Sequence, residues 1–194
     1  MPAPFNQLSV MAITFANIEK NLPGGANMGG LPQKVYFGLH KDVEGWPTEP
    51  DYDTAATLEE VATLTGDLTM KSSTNLFELY ITDDTGELEI ESVGEKDGKS
   101  WVIHLRLFNP GLQKKLLGFI NVAKNENLVF IVPDNNGNLF LMGDELRPAT
   151  FETSPDGAGT GMETSARAGV SMEFTYKTKN LYHYEGSIPL TAAE

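Results

Sequence analysis

Cysteine is missing from all 194 residues, and the chain has only three histidines and two tryptophans. Without cysteine there is no disulfide framework, no thiolate nucleophile and no thiolate-based metal centre. His40, His104 and His183 fall on expected strands and share no local motif, so each reads as a surface or paired histidine rather than a ligand. Long apolar runs are missing too, since none approaches the roughly 20 residues that cross a bilayer. The opening Met-Pro-Ala-Pro-Phe has neither the basic region nor the apolar stretch of a secretory signal. The expectation is a soluble protein, made and kept inside a cell, with no membrane contact.

Basic charge is also scarce. Fourteen lysines and arginines stand against 27 acidic residues, for a net charge of −13. Between Asp42 and Asp97, sixteen acids face only Lys71 and Lys96, a local balance of −14, while the remaining residues sum to +1. One segment therefore carries the whole imbalance. Its sign argues against a nucleic-acid-binding groove, which would be basic. It suits either a solvated acidic loop that aids solubility or a surface that must not adhere to a polyanion passing close by.

Catalytic and cofactor signatures are absent as well. The turn-rich stretch from Asn21 to Pro32 has four glycines but lacks the Lys-Ser/Thr of a P-loop and the spacing of a dinucleotide fingerprint. No Gly-x-Ser-x-Gly elbow occurs. Asp51, Asp53, Asp83 and Asp84 lack calcium-loop spacing, and Asp134-Asn-Asn-Gly-Asn138 is explained by turn chemistry. No catalytic, cofactor-binding or metal-ligating residue is nominated, and an enzyme is not expected.

What is present is strand pattern. The expected class is mainly β (α+β): an antiparallel β-sandwich or barrel with one packed helix at about 110–124, as a single domain over 1–194 with flexible termini. Strands are expected at Leu8–Ala16, Lys34–Lys41, Asp67–Lys71, Leu76–Thr82, Arg147–Glu152, Val170–Lys177 and Leu181–Gly186, and one or two helical turns at Thr57–Leu64. Long loops are expected near 42–56 and 154–168. Asn109 reads as an N-cap with Pro110 in the first turn, and Leu112, Leu116, Leu117, Ile120 and Ala123 recur at helical spacing. Leu128–Val132 is apolar at every position, so it suits a central strand covered on both faces, with the helix on one side.

Two hairpins flank that helix. Closing the first on Asp97-Gly98 makes partner numbers sum to 195. Glu91 then faces His104 and Glu89 faces Arg106 on one side, while Ile90 faces Leu105 and Leu88 faces Leu107 on the other. Trp101 lies opposite Gly94. Cross-strand charge pairs of this kind contribute about 0.2–1 kcal/mol each, and they give those glutamates a structural reason that weakens any reading as paired catalytic carboxylates. Closing the second hairpin on Asn136-Gly137 pairs Val132 with Leu141 and Phe130 with Gly143.

Gly-Gly-Leu-Pro-Gln-Lys-Val-Tyr-Phe37, Asn136-Gly-Asn-Leu-Phe-Leu-Met-Gly143 followed by Arg147-Pro-Ala, and Gly157-Ala-Gly-Thr-Gly161 leading into Val170–Lys177 occur in an order that resembles the tail-tube and related structural proteins of tailed bacteriophages and prophages. The likeness spans roughly Leu22 to Gly186. It implies a β-sandwich flanked by a helix, and subunits that close into a ring, most simply of six, by joining sheet edges. Rings would then stack into a conduit for DNA ejection. The partners implied are the chain itself and other virion proteins, with DNA as non-specifically passing cargo and no cofactor. The location implied is the virion tail, after synthesis in the host bacterial cytoplasm. Trp46 and Tyr52 in the first long loop, and Gly157, Gly159 and Gly161 in the second, become candidate ring-to-ring contacts. A neck, tail-terminator or capsid-decorating role, or a stand-alone carbohydrate- or protein-binding β-sandwich displaying Trp46 and Tyr52, is the alternative.

Overall fold

A computed structural model describes residues 13–19, 27–152 and 157–190. Most of the strand expected at Leu8–Ala16 and half of the glycine-rich stretch 21–32 lie outside the described residues, and residues 13–19 adopt no regular structure. In chain order the first strands are β1 (Lys34–Leu39), β2 (Val43–Gly45), β3 (Thr63–Leu64), β4 (Thr69–Met70), β5 (Phe77–Tyr80), β6 (Glu87–Val93) and β7 (Ser100–Pro110). Helix α1 (Lys114–Ala123) follows. Then come β8 (Leu128–Pro133), β9 (Leu139–Met142), β10 (Thr150–Glu152), β11 (Ala158–Gly159), β12 (Gly169–Thr178) and β13 (His183–Tyr184).

The all-apolar run forms β8, and its surroundings explain its composition. It lies inside a four-stranded sheet ordered β5-β1-β8-β9. Leu128, Phe130 and Val132 face the main core, while Val129 and Ile131 face a second, smaller core; all five are buried. The main core is shared with the inner face of a second sheet, ordered β10-β12-β7-β6, with β11 also paired to β12. Ile103, Leu105, Leu107, Val170, Met172 and Phe174 point inward from it. These positions alternate with outward polar ones, as a sheet solvated on one face requires. The arrangement is mainly β and sandwich-like. Among the described residues pairing is antiparallel except for β13 beside β3 and the isolated bridge between Leu76 and Leu190.

Backbone bonds stitch the two sheets at corners. Leu128 and Ala149 exchange both N–H···O bonds, at 2.9 and 2.8 Å, and the Thr82 N–H reaches the Phe108 carbonyl at 3.0 Å. Helix α1 covers the side where aromatic rings meet. Phe119 sits 4.7 Å from Phe37 and 6.4 Å from Phe174, centroid to centroid. The outer face of the four-stranded sheet is covered by the small sheets β2–β4 and β3–β13, whose Val43, Leu64 and Tyr184 close the second core together with Leu68, the residue before β4.

Several local expectations need correction. The helix starts at Lys114 with Gln113 as its cap, because β7 runs on through Asn109 to Pro110. Asn109 uses its side-chain amide to donate to the Tyr80 carbonyl at 2.8 Å. Proline is tolerated there because β6 stops opposite Arg106, so this end of β7 is an edge on that side. The β6–β7 register sums to 193, two residues from the expected one, because Gly94–Lys99 forms a six-residue loop with Gly94 and Asp97 at positive φ. Leu88 therefore faces Leu105, Ile90 faces Ile103 and Trp101 faces Ser92.

The β8–β9 register is one residue off, pairing Val132 with Phe140 and Phe130 with Met142. Asp134 sets that turn: its Oδ1 accepts the N–H groups of Asn136 and Asn138, both at 2.8 Å, and Gly137 sits at φ 92°. This is the longer hairpin loop with a left-handed glycine rather than a two-residue turn. Segment 42–56 is also no free loop. It contains β2, and the backbones of Thr48 and Thr65 pair with each other. Of the helical turns expected at Thr57–Leu64, a single three-residue turn forms at Glu60–Ala62.

Candidate functional site

The outward face of the second sheet gathers charge. Alternation along β6 turns Glu87, Glu89 and Glu91 away from the core. The same rule applied to β7, β12 and β10 sets His104, Arg106, Glu173 and Glu152 beside them. Arg106 is the hub: its Nη1 donates to Glu89 at 2.6 Å and to Glu87 at 3.0 Å, and its Nε lies 3.4 Å from Glu173. Hydrogen bonds to Glu89 and then Glu87 hold the guanidinium even more firmly protonated than an ordinary arginine. His104 sits between two carboxylates, Nδ1 at 3.0 Å from Glu173 and Nε2 at 3.7 Å from Glu91. Glu152 accepts from the Thr175 hydroxyl at 3.1 Å.

These contacts include the Glu91–His104 and Glu89–Arg106 pairs, but across diagonals of the ladder. The residues directly opposite are Glu89 for His104 and Glu87 for Arg106. A shift of two residues keeps every side chain on its face, so long side chains reach the diagonal neighbour. Arg106 and Glu89 have side chains 42% and 49% exposed, which limits each such pair to about 0.2–1 kcal/mol. What the face presents to solvent is carboxylate in excess over Arg106 and Lys177.

The acidic segment does not form one surface. Its β6 glutamates lie on this sheet face. Residues 42–70 instead cover the outer side of the other sheet. Glu152 and Glu173 join the charged face from outside the segment, which linear charge counting could not reveal.

The candidate loop contacts fall into two separate places. Gly157, Gly159 and Gly161 line a groove beside the charged face, together with Arg106, Arg167 and Glu173. There the Arg167 guanidinium lies 5.5 Å over the Phe108 ring. Gly161 has φ 72°, and a Cβ there would collide with Ala166, so its glycine is required by the loop itself. Trp46 is half-buried in a different cavity, its ring 5.0 Å from that of His40, and Tyr52 is half-buried near Tyr182. His40 Nε2 bonds the Asp144 carbonyl at 2.6 Å, and His183 packs its ring 5.0 Å from Phe140. Among the described residues no group of three or more His, Asp or Glu is placed to hold a metal ion, and no helix is long and apolar enough to cross a membrane.

Among the described residues β6 and β5 each end a main sheet, as β10 and β9 do at the opposite ends. Beyond β7, strand β6 has no strand partner among the described residues. Strand β5 ends the four-stranded sheet and carries Phe77 and Tyr80, 54% and 46% exposed. Phe77 borders an apolar cavity of about 490 Å³ between α1 and β1 that also receives Phe37, Phe119 and Val122. The sequence pattern does not reveal this cavity, because its walls come from segments some forty residues apart.

Comparison with protein-family models, curated proteins and solved structures returns no match. Geometry and charge carry the functional reading.

Proposed function

We propose that the chain is a structural subunit of a tailed-bacteriophage virion, a tail-tube protein that assembles with copies of itself into stacked rings around passing DNA. The single observation that supports this most is the carboxylate-rich outer face of the second sheet, bounded by β6, its last strand among the described residues. A ring built edge to edge disposes of strand edges that otherwise invite uncontrolled pairing. Strand addition supplies main-chain hydrogen bonds between subunits. With the glutamates of β6 turned inward, the conduit repels phosphate and lets DNA slide without release of counterions. The exposed Phe77 and its apolar cavity at the β5 edge add a surface for a neighbouring copy.

In this reading the protein performs no chemistry, needs no cofactor and has as partners its own copies and other virion proteins, in the tail. Negative-stain electron microscopy with sedimentation of the purified protein tests it, rings or tubes being the expected result. The cavity beside Trp46 favours a second reading, a stand-alone binding module. That module would sediment as a monomer at every concentration.

A further inference from the structure

The cavity that contains Trp46 measures about 260 Å³ and is walled by Trp46, Tyr176 and Tyr182 together with Glu49, Asp144 and Glu145. Three carboxylates line it and no lysine, arginine or histidine does. Hydrogen bonding in its walls is one-sided. The Tyr176 hydroxyl donates to Asp144 Oδ2 at 2.8 Å and the Tyr182 hydroxyl to Glu49 at 3.3 Å. Thr178 donates to the Asn180 carbonyl at 3.0 Å, and the Asn180 amide donates to Tyr182 at 3.0 Å. Wall hydroxyls are thus spent on wall acceptors.

Asp144 is occupied as well, because its Oδ1 also takes the N–H groups of Leu146 and Arg147, each at 2.7 Å. Glu145 makes no hydrogen bond or ion pair among the described residues, and Glu49 receives only the long bond from Tyr182. The cavity therefore sets two solvent-exposed carboxylates, Glu49 and Glu145, with no cationic partner among the described residues, beside aromatic faces. Its complement is a group that only donates, carries positive charge and can lie flat on a ring.

We propose that this cleft binds the guanidinium of an arginine side chain carried on a partner protein chain. A guanidinium has five donors and no acceptor, stacks on indole, and matches a carboxylate in a fork. The volume falls below the roughly 300–1,000 Å³ of small-molecule pockets and suits one side chain entering from outside. Trp46 is flanked by His40, ring centroids 5.0 Å apart, and by the backbone of Gly143. The site does not depend on tube assembly and is testable on a monomer.

The test is a titration of the full chain with N-acetyl-L-arginine amide, followed by amide and indole chemical shifts. Saturable shifts at Trp46, Tyr182 and Glu145 in the millimolar range are expected, with binding about tenfold weaker in Glu49→Gln/Glu145→Gln. If that double variant loses its native spectrum, Glu145→Gln alone carries the comparison, since its carboxylate has no partner in the fold. The isosteric citrulline amide, uncharged, is expected to give no saturable shift. Free L-arginine is expected to bind no more tightly than the blocked amide, because the cleft takes one side chain and leaves the backbone charges outside it. Equal binding of the citrulline amide, absence of saturable shifts at the cleft, or tighter binding of free L-arginine would overturn the assignment.

Discussion

Phe174 is where the two sheets and the helix meet, and its removal provides the sharpest test of the packing. Its ring is fully buried and lies 4.6 Å from Phe130 in the facing sheet, 5.5 Å from Phe151 on the neighbouring strand, and 6.4 Å from Phe119 of α1. Phe174→Ala removes the transfer free energy of a buried ring and leaves a cavity bounded by strands that are hydrogen-bonded on both sides and resist collapse. Core Phe→Ala changes cost about 3–5 kcal/mol, and the rigid surround places this one in the upper half of that range. At roughly 2–4 °C per kcal/mol for a chain of this length, Tm falls by roughly 8–20 °C.

Urea unfolding followed by tryptophan fluorescence measures it, with an unchanged m-value showing that the midpoint shift reports stability. Phe77→Ala is the control, because that ring is 54% exposed and its loss is expected to cost under about 1 kcal/mol. Equal costs at the two positions, or a Phe174→Ala cost below about 1.5 kcal/mol, would refute the picture of one core shared by both sheets.

Asp134 has a carboxyl that partial burial pushes up, but the Asn138 amide and the N–H groups of Asn138 and Asn136 outweigh burial and hold it below the usual carboxylate range. Its stabilisation is full above the unfolded value near 4 and is lost as pH falls through the depressed native value. Asp134→Ala is thus expected to cost about 1–2 kcal/mol at pH 7, with the gap to wild type closing in acid, as read by thermal melts across pH. Gly118 lies mid-helix, and a methyl group added there would meet nothing within 4 Å, so Gly118→Ala is expected to raise stability by about 0.5–1 kcal/mol in the same melts. Reversing the β6 carboxylates with Glu87→Lys/Glu89→Lys/Glu91→Lys is expected to leave assembly intact and make assembled protein retain DNA in a gel-shift assay. Loss of assembly would place that face at a subunit contact.

How much the sequence disclosed varies by element. The burial of Leu128–Val132 on both faces was legible, because an apolar run with no polar alternate must be covered twice. The inward and outward faces of β6 and β7 were legible for the same reason of period. Register was not. Asp97-Gly98 reads as a two-residue turn, yet Gly94 at φ 97° starts the loop earlier, and a two-residue slip leaves every face and both diagonal ion pairs available. At Asp134 the carboxylate grips two backbone N–H groups and lengthens the loop by one position, which composition alone does not distinguish from Asn-Gly chemistry.

Asn109-Pro110 carries a helix-start signal, but tertiary contact with Tyr80 keeps it in the strand. Trp46 and Tyr52 stood out as aromatics in an acidic stretch. That Trp46 shares a cavity with Tyr176 and Tyr182 follows only from the fold, since those residues come from β12 and the segment after it. The charged face likewise needed the register of β10, β12, β7 and β6 before Glu152 and Glu173 could be placed beside the β6 glutamates.

The proposal that this chain works by assembling, with its carboxylate face turned to a conduit, meets its most direct test in negative-stain images of the purified protein over a range of concentrations. The account predicts rings or stacked tubes with a central channel. A particle that remains a monomer at every concentration, with no ring or fibre in any field, would contradict it.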